Sequence, residues 1–296
     1  MSDIGSETRS DTATTKTRSP LLTLIVPAYN AAPYIAGNVH EIVTSLEELG
    51  RPFELLVVCD GCDDGTAAIA RQIADERVRV LEYAENHGKG YAICFGVAHA
   101  RGRLVGWLDA DLDIHPGVIV DAVQRLEQRR LDAVIGSKRH SASDVHYPLQ
   151  RRILSAGFQL LVRWLFRIDV RDTQVGAKVF RGEVMATVVP LLLIKRYAFD
   201  VEVLAVSAEF GFDRIEEAPI ALDYRFSGTG ITGEAVRRMF IDTLAIAYRI
   251  HVRHWYVRQF AAHERARSDA LAAADDEQQL PAAPSAIWSE ILSAGT

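Results

Sequence analysis

LVGWLDADLD, residues 104–113, is an apolar run that ends in three acids at alternate positions, Asp109, Asp111 and Asp113. Leu104–Leu108 has the length and composition of a buried strand, and His115-Pro116 opens an amphipathic helix with Pro116 at its first position. Carboxylates gathered at the C-terminal tip of a buried strand repel one another and lose solvation unless a cation compensates them. The pattern points to a Mg2+ or Mn2+ site for a phosphate-bearing substrate. The alternative is a solvated acidic turn ahead of a helix.

Outward from this tip the chain alternates strand and helix signals, which predicts a mostly parallel sheet covered on both faces. Upstream, strands are expected over Leu21–Pro27, Phe53–Val58 and Val78–Tyr83. Helices are expected over Tyr34–Leu49, Thr66–Ala74 and Tyr91–Ala100. Downstream, Val118–Gln128 reads as helix and Ala133–Gly136 as strand. Arg151–Arg167 reads as a helix with a wide apolar stripe, Val175–Phe180 as strand, Val201–Glu209 as helix and Ala218–Phe226 as extended chain. Val236–Phe260 reads as one long basic helix, with five arginines against the single acid Asp242.

Open α/β sheets bind ligands beyond the C-terminal ends of their strands. Pro27-Ala28-Tyr29-Asn30, Asp60-Gly61 and the acidic triplet would share one such crevice. The aromatic loop suits a nucleobase, Asp60 can accept from a base or ribose, and the triplet can hold a metal on a diphosphate. Asn86-His87-Gly88-Lys89-Gly90 adds a cation at a helix start, suited to phosphate, or is a glycine turn with a solvated lysine. Cys59 and Cys62 form a C-x-x-C pair, but Asp60, Asp63 and Asp64 crowd it and would raise its thiol pKa, and no second pair completes a zinc site. No GxxxxGK[ST] or GxSxG element is present.

The 296 residues allow one large domain or two modest ones, and a net charge of −6 argues against a general nucleic-acid binder. Three cysteines provide no disulfide framework, so a reducing compartment is expected. No stretch reaches the ~18 apolar residues of a membrane span. The expected organisation is a disordered tail over 1–19, a single α/β domain over 20–235, a basic amphipathic helix over 236–262 and a flexible tail over 263–296. Ile287-Trp288 with Ile291-Leu292 suggests a small docking helix in that tail.

In order and spacing, VPAYN (26–30), VVCDGCDDGT (57–66) and DADLD (109–113) resemble the nucleotide-sugar half of the family 2 glycosyltransferases of GT-A fold. NHGKG (86–90), GSK (136–138), RDTQVGAKVF (171–180) and RYAFDVEVL (196–204) resemble the branch of dolichyl- or polyprenyl-phosphate glucosyltransferases that uses UDP-glucose. The resemblance covers about residues 20–235. It implies that Pro27, Ala28, Tyr29 and Asp60 hold uridine and that Asp109 contacts the nucleotide. It further implies that Asp111 and Asp113 bind the metal, and that Asp172, Thr173 and Gln174 approach the sugar. Lys178 and Lys138 would neutralise phosphate, with Arg139 a second candidate because the family has Arg where Lys138 stands.

The chain departs from the family pattern at Ala31, where Glu is usual, and at Gly228–Ile231, which lacks a lysine. No anchor of the kind common in eukaryotic members is expected.

The implied reaction is inverting, metal-dependent transfer of a hexose from a UDP-sugar to a polyprenyl or dolichyl phosphate. A phosphate monoester acceptor has a second pKa of ~6 and is already mostly dianionic near neutrality, so it needs cations and no base. Lys89 would assist phosphate neutralisation, and Arg151, Arg152 and Arg225 are candidates for the acceptor phosphate. A hydroxyl acceptor would need a general base, for which Asp172 is the candidate; its other role is to orient its loop. The remaining alternative is a nucleotide-sugar-binding protein without catalysis. The two basic amphipathic stretches either lie on an anionic membrane surface or pack on the sheet. The expected location is cytoplasmic, at the membrane periphery.

Overall fold

The computed structural model describes residues 19–143, 149–221 and 233–277, with the side chains of 149–156 and 270–277 outside that description. Arg225, Gly228–Ile231, the side chains of Arg151 and Arg152, and the suggested helix around Trp288 all lie outside the described residues.

The first half is a doubly wound unit. β1 (Leu22–Ala28), β2 (Phe53–Asp60) and β3 (Val78–Tyr83) run parallel and are joined by α1 (Ile35–Glu47) and α2 (Thr66–Arg71). After α3 (Lys89–Ala98) the chain returns to the other side of β1 as β4 (Leu104–Leu108), also parallel to it. This reversal of strand order makes the crevice between the tips of β1 and β4 a topological switch point. α4 (Gly117–Arg129) then leads to β5 (Ala133–Ser137), α5 (Leu149–Phe166) and β6 (Ala177–Arg181).

β6 runs antiparallel to both β4 and β5, in the sheet order β3-β2-β1-β4-β6-β5-β7, with β7 (Ile215–Pro219) at the far edge. An antiparallel strand between parallel ones brings its N-terminal end to the edge where its neighbours end. Ala177 stands opposite Leu108 and Lys178 opposite Trp107, so the segment before β6 enters the crevice. The sequence pattern locates this strand but not its direction.

Alternation along the strands divides the core in two. Leu24, Val26, Leu55 and Val57 face α1, α2 and α4. Ile25, Leu56, Trp107 and Phe180 face the opposite layer. That layer contains α6 (Gly182–Val188), α7 (Phe199–Glu209) and the buried face of α8 (Gly233–His251). Every residue of α7 from Phe199 to Ser207 is buried, so it is a central helix with no solvent face. α6 was not anticipated from sequence.

The single basic helix expected over 236–262 is two helices. α8 ends at His251, His254 adopts a left-handed φ of 47°, and α9 (Trp255–Glu277) begins anew. The break lets Tyr256, 1% exposed, turn into the core and donate to the buried Glu202 at 2.6 Å. α9 continues beyond the expected boundary at 262, through a stretch rich in alanine and arginine, both good helix formers.

Candidate active site

The acidic triplet is shaped by the residues between its acids. Ala110 and Leu112 are buried among the side chains of the α1–α4 layer. Leu112 has a φ of 53°, a conformation that costs an L-residue about 1–2 kcal/mol. Burial of its side chain offsets that strain. Asn38 of α1, itself buried, donates to the Ala110 carbonyl at 2.7 Å, and Asp113 N–H donates to Asp111 Oδ1 at 3.2 Å. Ala110 and Leu112 therefore anchor the loop and leave the carboxylates to the crevice.

The three acids divide by their partners. Asp109 forms an ion pair with Lys89, from the first turn of α3. Burial works against the Lys89 charge, but Asp109, Asp200 and Asp111 outweigh it and hold its pKa above the usual lysine value. Gly176, just before β6, makes room for this pair: a Cβ there would fall 1.8 Å from Asp109 Oδ2. Asp111 is held above the usual carboxylate range, first by burial and then by the charges of Asp109 and Asp113, which Lys89 does not cancel.

A divalent cation on Asp111 and Asp113 fits that electrostatic demand. Among the described residues, no group of three or more His, Cys, Asp or Glu is arranged to enclose a metal. The protein would thus offer one or two carboxylates and leave other positions to phosphate and water, as Mg2+ sites commonly do.

Beneath the ion pair lies a second, buried one. Lys178 was expected to neutralise phosphate, but it is 1% exposed, and its ammonium donates to Asp200 at 2.6 Å and to the Val175 carbonyl. It also lies 5.7 Å from the centre of the Trp107 ring. Burial pushes its pKa down despite Asp200. Antiparallel β6 turns this side chain into the core beside Trp107, so its charge reaches the crevice only through neighbours.

Asp60, the expected uridine contact, is 3% exposed and occupied by its own loops. Its carboxylate accepts from Tyr83 Oη at 2.9 Å, His87 N–H at 2.8 Å and Gly88 N–H at 2.9 Å. Its carbonyl accepts from Asn86 Nδ2 at 3.1 Å. These bonds hold the loop before Lys89. Lys195 O accepts from Gly90 N–H at 2.9 Å, and Arg196 donates to Asn86 at 3.3 Å. The close approach requires glycine at 88, where φ is 98° and a Cβ would meet Arg196 Cγ at 2.7 Å.

At the β1 tip, Ala28 is buried and Tyr29 is 55% exposed, its ring open to a ligand. Ala31 N–H donates to Thr66 Oγ1 at 2.8 Å and Ala32 N–H to Asp64 Oδ2 at 2.9 Å, so the second strand's loop braces the first. Cys59 is buried in β2, its thiol pushed up to about 12 by burial and by Cys62. A thiol so protonated at neutral pH is a poor nucleophile, which weighs against Cys59 as the attacking thiol of a redox pair.

On the β6 side, Asp172 is 7% exposed, and its carboxylate accepts from Lys138 N–H at 3.1 Å and Gln174 N–H at 3.4 Å. Both oxygens are thus engaged with backbone. Gln174 donates to the Tyr197 carbonyl at 3.4 Å and contacts Met239 of α8. Lys138 and Arg139 follow the end of β5, half-buried, at the same edge of the sheet.

Sequence reasoning missed Asn38, Gly176, Asp200 and Glu202. The last two sit in the AFDVE string, quoted above without a role. The direction of β6, which brings Gly176 to Asp109, has no local sequence signal.

Residues 23–187 match the family described as Glycosyl transferase family 2. A dolichyl-phosphate beta-glucosyltransferase of Drosophila melanogaster is 37% identical over 200 residues, covering 62% of this chain and 61% of that protein. One of Dictyostelium discoideum is 30% identical over 214 residues, covering 67% and 65%. The chain thus spans less than two thirds of the length of either relative.

Among solved structures, mannosyl-3-phosphoglycerate synthase from Rubrobacter xylanophilus superposes with a TM-score of 0.61 at 19% identity, covering 79% of this chain and 75% of that one. Glucosyl-3-phosphoglycerate synthase from Mycobacterium tuberculosis, in complex with Mn2+, UDP and glucosyl-3-phosphoglycerate, gives 0.59 at 18%, covering 77% and 80%. At these identities the structural likeness establishes the fold, GT-A. The family match spans more than half of the chain and takes in every strand tip from β1 to β5 together with the whole of β6. This chain belongs to the family 2 glycosyltransferases.

Proposed function

We propose that the chain transfers a hexose, glucose being favoured, from a UDP-sugar to a polyprenyl or dolichyl phosphate with inversion. The observation that carries this reading is the Lys89–Asp109 ion pair beside the under-compensated Asp111 at the switch point. Mg2+ or Mn2+ held by Asp111 and Asp113 would supply Lewis-acid stabilisation of the leaving diphosphate. Lys89, held charged and fixed between Gly88 and Gly90, adds a preorganised cation on the donor side. Tyr29 offers its exposed ring to the base. The names of the relatives support glucose and dolichyl phosphate.

The engagement of Asp172 favours an acceptor that needs no base. Purified chain given UDP-glucose, Mg2+ or Mn2+ and a short polyprenyl phosphate is expected to form UDP and a lipid-linked sugar. Hydrolysis alone, or no reaction across several donors, defeats the assignment. Asp172→Asn loses one backbone hydrogen bond and is expected to slow this transfer no more than about tenfold. A loss of about 10²–10⁴-fold with donor affinity intact would instead identify Asp172 as a general base and point to a hydroxyl acceptor.

Gly176→Ala tests the placement of Asp109. The new methyl must displace a side-chain end, which the fold can accommodate, but the ion pair with Lys89 is lost. Turnover is expected to fall about 10- to 100-fold, the scale of small displacements of catalytic groups, with the thermal melt little changed. Unchanged kinetics would show that the position of Asp109 does not matter.

None of the helices among the described residues is long and apolar enough to cross a membrane. α8 exposes Phe240, Leu244 and Tyr248 at four-residue spacing, with exposed Val252 just past its end, and α5 exposes Leu160 and Trp164 beside Arg163 and Arg167. These faces support attachment to an anionic bilayer surface. The chain should float with phosphatidylserine vesicles and release at high salt; failure to float at low salt would rule out this attachment.

A further inference from the structure

The carboxylate of Glu202 is fully buried in α7, well away from the acidic triplet in sequence, and joins three parts of the chain. Oε2 accepts from Leu193 N–H at 3.0 Å and Ile194 N–H at 2.7 Å. Oε1 accepts from Tyr256 Oη at 2.6 Å, and Arg249 Nη1 of α8 lies 3.7 Å from it. A carboxylate with no solvent access is retained only where such donors offset its desolvation. Even with them, burial holds its pKa above the usual range.

The segment anchored by Glu202 leads directly to the donor side of the crevice. Immediately after Ile194, the Lys195 carbonyl accepts from Gly90 N–H at 2.9 Å. Arg196 then reaches Asn86 at 3.3 Å, and Phe199 packs so closely on Gly90 that a Cβ there would lie 2.6 Å from its ring. Gly88 and Gly90 bracket Lys89, the partner of Asp109. A continuous path of hydrogen bonds and packed groups therefore runs from α9 through Glu202 and residues 193–199 to Lys89.

We infer that Glu202 is a positioning residue through which the C-terminal helices α8 and α9 hold the 193–199 segment against the Lys89 loop and so set donor affinity. The inference rests on the UDP-sugar reading proposed above. It gives the basic helices a role in the site: whatever α8 and α9 dock on, their position is transmitted to Lys89. A carboxylate that only stapled α7 to α9 would lower stability when disturbed and leave the crevice unchanged.

Tyr256→Phe in the full chain separates the two roles, because it removes one donor and no volume from the core. Glu202→Ala is the stronger variant but strands two buried amides and can fail to fold. Amide hydrogen exchange of Tyr256→Phe is expected to increase at Leu193, Ile194 and Gly90. Calorimetric titration with UDP and Mn2+ is expected to show affinity weakened about 5- to 30-fold, the usual range of coupling between sites. Increased exchange confined to α8 and α9, with Gly90 and UDP affinity as in the wild type, overturns the inference. If the wild-type chain binds no UDP, the donor reading fails on its own account; Gly90 exchange then decides the coupling, and an unchanged Gly90 overturns it.

Discussion

Asp111→Asn is expected to lower glycosyl transfer by on the order of 10³-fold or more, and at the same time to raise the melting temperature of the metal-free chain by about 2 °C. The two effects share one cause. Burial first, and then the charges of Asp109 and Asp113, hold the Asp111 pKa above the normal range. A carboxyl whose folded pKa is raised favours the folded state at acid pH, and that contribution is lost as pH rises through the folded pKa. At neutral pH the full cost is therefore present. Asparagine removes the charge and with it the cost. The gap in melting temperature between variant and wild type in EDTA should be widest near pH 7 and close toward pH 4. A variant that is inactive and less stable at neutral pH would mean that Asp111 serves the fold.

Lys178→Met is expected to have the largest effect on stability, about 3–5 kcal/mol, or roughly 10 °C in melting temperature. The ammonium has no exposed surface and is held by Asp200 and the Val175 carbonyl beside Trp107. Methionine fills much of the space but leaves Asp200 without its partner in a nearly closed site. Breaking a buried pair from one side costs more than the pair contributes, because the remaining charge is stranded. Lys178→Met combined with Asp200→Asn should therefore recover most of the loss, as measured by thermal or urea unfolding. Equal destabilisation in single and double variants would show that Asp200 is not the group being compensated.

These two residues mark where the sequence was informative and where it was not. The alternation of apolar runs with Gly, Pro and Asp clusters located all four strands from β1 to β4, since local periodicity reports which backbone segments are half or fully buried. Asp109, Asp111 and Asp113 were legible because charge at the tip of a buried strand is an electrostatic anomaly within ten residues of chain.

Lys178 was misread because its role depends on the direction of β6. That direction is set by pairing with β4 and β5, which are distant in sequence, and the residues 177–181 carry no mark of it. The internal bonds of Asp60 were hidden for a related reason: its carboxylate meets Tyr83 and the 87–88 amides only once β2 and β3 are paired. The break at His254 was hidden because helical periodicity continues through it. Only the burial of Tyr256 against Glu202 explains it.

The proposed function makes the crevice at the β1–β4 switch point a diphosphate clamp acting through a divalent cation on Asp111 and Asp113, with Lys89 as the resident charge. Calorimetric titration of UDP into the purified chain, in Mn2+ and again in EDTA, tests it most directly. UDP is expected to bind in Mn2+, to bind at least tenfold more weakly in EDTA, and to lose this metal dependence in Asp111→Asn. UDP binding of equal strength with and without metal, or none in either, would contradict it.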